Sequence, residues 1–360
     1  MNVGTVITLV MLGFALIGAA DRAIGCRFGP GKSFERGFEA SGPLMLAMIG
    51  PFALAPLVAR ILAPTLAPVC DAVGIDPSVI AGLFIANDSG GWPLAMAVAR
   101  DEVLGRFFGS IVGSTMGCAV MFAFPAGFAM TPKEKRPLVA KGLAVGLITV
   151  PVACFASGLC FGIGIAALLR NLLPLIVFSG FFAAGLLLFE RITVKIVSAM
   201  GAALTFLFTA ALAVSVFIKV TGKDPGWFGS FDEAVEIIGG IAVFLCGAFV
   251  LLWFLEKLCG PLFEKLGNAT GTDKTSVLGI VTTTINAIPM FAMTMDMNDR
   301  GVVLNIAYLV PASFMLGDHL AFQLTVDSST ALPFLAGKLA GGAAAIALAL
   351  LLTRKSTEKK

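Results

Sequence analysis

The sequence predicts an all-α polytopic membrane protein with about 11 apolar helical segments. Three observations carry that reading. Charged residues make up 13% of the 360 residues and hydrophobic residues 58%. Soluble domains carry roughly 25% charged residues, so this chain cannot cover a globular surface with polar groups. Its apolar residues fall in runs near the roughly 20 residues that a spanning helix needs. The runs do not alternate, as the strands of a transmembrane barrel would. A soluble enzyme, a disordered chain and a secreted disulfide scaffold are excluded on these grounds.

The segments follow in order. Segment 1, at 3–20, has no basic stretch before it and reads as a retained span, not a cleaved signal. A polar loop at 21–36 leads to segment 2, at 43–63. Segment 3, at 78–99, is interrupted by NDSGGWP at 87–93. There the paired glycines release the helix, and Pro93 suits the first turn of a new one. Segments 4 and 5, at 105–129 and 138–168, flank a short basic loop. Segments 6 and 7 lie at 170–190 and 193–218, and segment 8, at 234–258, follows the polar stretch 223–233. Segment 9, at 275–297, is interrupted by NAIP at 286–289. Segments 10 and 11, at 301–325 and 331–353, precede a basic tail at 354–360 that reads as a cytoplasmic end.

The remaining bulk figures exclude more. Net charge is +3, from 25 Lys and Arg against 22 Asp and Glu, which is no nucleic-acid signature. The seven cysteines are scattered without a CxxC pair, and there is a single His. A zinc, iron–sulfur or Cys–His catalytic site has almost nothing to build on. No metal and no cofactor is expected.

The chain also matches itself. Shifted by 197 residues, positions 4–76 give 15 identities in 73 without a gap, among them Gly25/Gly222, Ser33/Ser230, Glu39/Glu236, Pro64/Pro261 and Asp76/Asp273. Gly, Pro and polar residues dominate, whereas shared greasiness would have matched Leu, Ala and Val. With one residue of slippage, Asp88 falls on Asn286 and Asp101 on Asp299. Duplicated halves are common among secondary transporters; coincidence between Gly-rich helices is the alternative. The repeat divides the chain into a first half at 1–168, a linking segment at 169–192, a second half at 193–353 and the tail.

Basic residues decide the relation of the halves. The loop after segment 1 carries Arg22, Arg27, Lys32 and Arg36, and the loop after segment 4 carries Lys133, Lys135, Arg136 and Lys141. Both read as cytoplasmic, yet three segments separate them. The conflict disappears if segments 3 and 9 are re-entrant. Then 18 of the 25 basic residues lie inside, the N-terminus outside and the C-terminus in the cytoplasm. Nine segments cross, and the repeat is inverted. Arg60, Arg100, Arg106, Arg170, Lys219, Lys223 and Lys338 form the outside set. Eleven full crossings with a parallel repeat would break the charge rule.

Irregular backbone at membrane depth is tolerated where it lines a cavity, and two matched breaks point to a substrate site. Asp88 is an ionisable residue inside an apolar segment, hence a functional candidate, and is also a good helix cap. Asn87 and Ser89 flank it. In the second break Thr284 and Asn286 offer a polar face beside Pro289, where a plain proline kink is the alternative. Asp318-His319, inside segment 10, reads as a cation partner or proton relay, or else as an interhelical hydrogen bond. Trp92 could face a cation through its ring, whereas Phe291 suits core packing. Glu39, at the entry of segment 2, suits substrate contact or a structural role. The set is acidic, and no Lys or Arg is expected near either break. A small ammonium bearing a hydroxyl or amide fits these groups. An intramembrane aspartyl enzyme is disfavoured, because Leu316-Gly317-Asp318 lacks the GxGD pairing.

FERGFEASGPLMLAMIG at 34–50, NDSGGWPLA at 87–95 and the stretch 286–322, with its NAIPMF, DRG and LGDHLAF pieces, resemble the ethanolamine permease family, EutH. The resemblance covers essentially the whole chain. It implies a bacterial inner-membrane permease that admits protonated ethanolamine for catabolism by a cytoplasmic lyase. The partners then expected are ethanolamine and the lipid bilayer. A coupling ion, proton or sodium, and assembly into a homo-oligomer stay open, as does transport of another small amine.

Overall fold

Among the described residues, eight helices of the computed structural model are long and apolar enough to cross a bilayer. The structure describes residues 3–353, apart from the side chains at 62, 63, 66, 67, 71, 194, 197, 198 and 201. The tail at 354–360 lies outside the described residues. In chain order the helices are α1 (Val3–Ala23), α2 (Pro30–Glu39), α3 (Ser41–Val73), α4 (Ser78–Phe84), α5 (Gly91–Val98), α6 (Glu102–Phe107), α7 (Phe124–Met130), α8 (Arg136–Cys160), α9 (Ile165–Leu188) and α10 (Glu190–Thr221). Then come α11 (Phe231–Leu258), α12 (Gly260–Thr270), α13 (Lys274–Ile285), α14 (Ile288–Met293), α15 (Asp299–Ala312), α16 (Asp318–Val326) and α17 (Ala331–Leu352). No strand occurs among the described residues. The fold is that of a polytopic helical membrane protein. Apolar side chains such as Leu46, Phe181, Leu188, Phe206 and Val220 stand exposed on it. Lipid, not water, suits such a surface.

Eight long helices replace the eleven segments expected. Segments 3, 9 and 10 are each cut into two helices too short to span. The breaks in 3 and 9 follow the sequence reading. That in segment 10 does not: α15 stops after Pro311, and the chain runs irregularly from Ser313 to Gly317, with Phe314 at φ 55°. Segment 4 stays continuous by another route. Between α6 and α7 its backbone is π-helical over Phe108–Gly117 and Ala119–Ala123. Wide turns of this kind collect at functional sites.

Two aspartates tie off segments 3 and 9. The Asp76 carboxylate accepts from the Ser78 amide and hydroxyl through Oδ1, and from the Arg100 and Asp101 amides, at 3.0 and 3.1 Å, through Oδ2. The chain therefore returns at residue 100 to where it set out at 76. Asp273, its counterpart under the 197-residue shift, repeats the arrangement. Its Oδ1 accepts from the Ser276 amide at 2.7 Å, and its Oδ2 from the Asn298 amide at 2.7 Å. Each carboxylate accepts from the start of the helix that leaves it and from one or two amides of the chain that comes back. Asp76→Ala should cost about 2 kcal/mol, because buried amides lose a charged acceptor. The thermal midpoint of the detergent-solubilised protein should fall by a few degrees; an unchanged midpoint would show that the tie contributes nothing.

The two ties sit at opposite ends of α17. Arg106, on α6 just after the amides that Asp76 holds, pairs with Asp327 at 3.3 Å, just before α17 begins. Beside Asp273 and Asn298 lie Asp299, paired with Lys135 at 3.0 Å, and Arg300, which donates to the Leu350 carbonyl at 3.2 Å near the end of α17. Lys141 donates to the Leu352 carbonyl in the same region. The 22 residues of α17 hold these ends roughly 33 Å apart, about one bilayer.

Candidate functional site

Backbone hydrogen bonds join the breaks of segments 9 and 10, and side chains bring the break of segment 3 to them. In segment 3 the helix ends in extended backbone at Ile85, turns through Asn87–Ser89 and restarts after Gly90 at φ 94°. In segment 9 it ends at Asn286, again extended, whose side-chain oxygen accepts from the Ile288 amide at 2.9 Å and starts α14. The segment 10 break hydrogen-bonds to this one: the Phe314 and Leu316 amides donate to the Thr283 and Thr284 carbonyls at 3.0 and 2.8 Å. A glycine lies close against the backbone at the breaks of segments 3 and 9. A Cβ on Gly117 would meet the Ile85 carbonyl, and one on Gly317 would meet the Ile285 carbonyl.

Between these breaks and α10 lies a cavity of about 330 Å³. Asp88, Asn286, Asp318 and His319 line it, with Ser89 of the segment 3 break, Thr205 and Thr209 on α10, and the rings of Phe122, Phe208 and Phe314. The Asp88 carboxylate is buried and accepts from the Ser89 hydroxyl at 3.2 Å. Its Oδ2 lies 3.9 Å from His319 Nε2. The His319 ring packs at 4.8 Å on Phe314. Carboxylates, an amide and hydroxyls set among aromatic faces can hold a small organic cation with a polar tail.

Four of the eight sequence candidates thus share one cavity, and the other four do not line it. Asn87 is fully buried behind the break, where its amide has no hydrogen-bond partner among the described residues. Trp92 packs in the apolar core with Met48 and Phe52. The Thr284 hydroxyl bonds to the Tyr308 hydroxyl at 3.0 Å. Glu39 is exposed at the end of α2, beside Arg22 and Glu35. Phe291, as expected, is core.

The expectation that no Lys or Arg approaches the breaks is overturned by Lys338. Placed in the outside set by the charge count, it is instead fully buried on α17. Its Nζ donates to the carbonyls of Ser114 and Ser313, at 2.6 and 3.0 Å, and lies 3.4 Å from His319 Nδ1. The sequence signal was present: a lone Lys eight positions into an apolar helix is too deep for a boundary residue. Thr209 and Phe208 gave no signal, since nothing distinguishes them from other residues of α10; Thr205 showed only as the match of Thr8 under the 197-residue shift.

Comparison with known proteins identifies a family. The family model for "Ethanolamine utilisation protein, EutH" matches residues 3–352. The chain is 36% identical to "Probable ethanolamine permease EutH" of Listeria monocytogenes, over 100% of this chain and 96% of that protein. It is also 36% identical to "Uncharacterized protein YxeR" of Bacillus subtilis, over 100% of this chain and 98% of that protein. It is 33% identical to "Probable ethanolamine permease EutH" of Escherichia coli, over 99% and 97% respectively. No solved structure matches. A match of the family model along nearly the whole chain, together with full-length relatives, shows that this multi-pass membrane protein belongs to the EutH family.

Proposed function

We propose that the chain carries protonated ethanolamine across the bacterial inner membrane into the cytoplasm, through the cavity at the breaks, to supply ethanolamine catabolism. The names of its relatives support ethanolamine as substrate. The observation that carries the site is the convergence of Asp88, from one half, with Asn286 and Asp318, from the other, on a single cavity. The ammonium sits near Asp88 or Asp318 and the hydroxyl near Asn286. An ammonium is costly to bury bare, and the carboxylates supply its partner.

The transport frame proposed is an inverted pair of halves, 1–168 and 193–353, joined by 169–192. Segments 3 and 9 dip in from opposite faces, and nine segments cross, with the N-terminus outside and the C-terminus inside. The hydrogen bonds of Asp76 and Asp273 at opposite ends of α17 support this frame, as do the basic residues gathered at the end with Lys135 and Arg300. The experiment is uptake of labelled ethanolamine by reconstituted full-length protein, at several pH values, with and without proton or sodium gradients. Saturable uptake is expected. No uptake above empty liposomes would overturn the reading. Accumulation above equilibrium under a proton gradient would favour coupling through the Asp88–His319 pair.

A further inference from the structure

An ammonium has three N–H donors, and Lys338 finds an acceptor for each. Two are the main-chain carbonyls of Ser114 and Ser313, and the third is His319 Nδ1. Because Lys338 donates to Nδ1, the ring proton belongs on Nε2, which faces Asp88. Among the described residues Lys338 is the one buried Lys or Arg. Both carbonyls belong to irregular backbone: Ser114 lies in the π-helical run and Ser313 at the extended end of α15. The Phe334 ring lies 5.4 Å from the ammonium. Asp88 and Asp318 are the acids that face it, and Cys118 and Cys154 the other ionisable groups around it.

Carbonyls freed by broken helices are how helical membrane proteins hold alkali cations. Here the cage is filled from within. We propose that Lys338 is the built-in occupant of an internal cation site. Its ammonium joins segments 4 and 10 where a bound sodium or potassium ion would otherwise be needed, so the cavity works without either ion. The effect of Lys338 on uptake rests on the transport reading above; the cation site itself does not.

The test compares wild-type protein with Lys338→Ala, which removes the ammonium and leaves room for an ion, and Lys338→Met, which fills the space with an apolar chain. Thermal midpoints are measured in sodium, potassium and tetraethylammonium chloride at equal ionic strength, with no ethanolamine present; tetraethylammonium has no hydroxyl and is too large for the space of one lysine ammonium. The wild type should have one midpoint in all three salts. Lys338→Ala should melt lower in tetraethylammonium and recover part of the loss in sodium or potassium. Lys338→Met should not respond to the ion. In liposomes, uptake by Lys338→Ala should fall by about tenfold or more in tetraethylammonium and rise with sodium or potassium. A folded Lys338→Ala indifferent to the ion, or Lys338→Met transporting like wild type, would overturn the proposal. If neither variant folds, the wild type decides: a sodium- or potassium-specific gain in its midpoint overturns the proposal, and equal midpoints support it. Failure of the wild type to take up ethanolamine bears on the transport reading and leaves the thermal result standing.

Discussion

Asp88→Asn and Asp318→Asn should each abolish uptake of labelled ethanolamine at acid pH while leaving the protein in the membrane. An amide keeps the shape of the carboxylate and much of its hydrogen bonding but removes the charge. The cost of taking an ammonium out of water is then no longer offset. A loss of about 3 kcal/mol corresponds to roughly a hundredfold in affinity. The substitutions are nearly isosteric, so the protein should survive purification with a single size-exclusion peak. Both carboxylates border the same cavity, so their effects should not add: the double variant should transport no worse than the weaker single one. Full uptake by both single variants would remove the cavity from the transport path.

The second large effect concerns the backbone. Gly317→Val should prevent accumulation of folded protein, and Gly117→Val should do nearly the same. In each case the new Cβ would press on a carbonyl oxygen of the neighbouring break, of Ile285 or of Ile85. Neither side can yield. The Ile285 backbone is fixed by hydrogen bonds from Phe314 and Leu316 to the two residues before it. Overpacking against rigid backbone costs about 3 kcal/mol or more. Gly13 serves as the control, since a Cβ there has nothing within 4 Å. Gly13→Ala should express like wild type and Gly317→Val should not. Equal yields of folded protein from the two would mean that the breaks are not locked as described.

Much of this was legible in the sequence, for a physical reason. Scarcity of charge and the length of apolar runs report on the solvent. Gly-Gly, Pro and polar residues inside such runs report on broken helix, which placed the segment 3 and segment 9 interruptions correctly. Asp76 and Asp273 were visible as a repeated pair but not as ties, because a carboxylate that bonds to amides 24 or 25 residues away leaves no local pattern. The segment 10 break went unseen since Pro311 and Gly317 are ordinary in a membrane helix. Lys338 was misassigned because counting basic residues treats each one as a loop marker. A lysine whose donors are all satisfied inside the protein violates that premise. The cavity residues most easily found were those carrying charge; Asn87, Trp92 and Thr284 sit close to the breaks in sequence but face the protein interior.

The separations along the chain imply an order of assembly. The tie in segment 3 closes over 24 and 25 residues, and that in segment 9 over 25. Closing so short a loop costs little entropy, so each can form soon after its own residues leave the ribosome. The contact from Lys338 to Ser114 spans 224 residues, and α17 is the last of the described helices. Until it arrives, the carbonyls of Ser114 and Ser313 and the neighbouring acids lack their cation. The nascent chain therefore carries two finished hairpins around an unfinished centre, and its last helix delivers the charge that completes it.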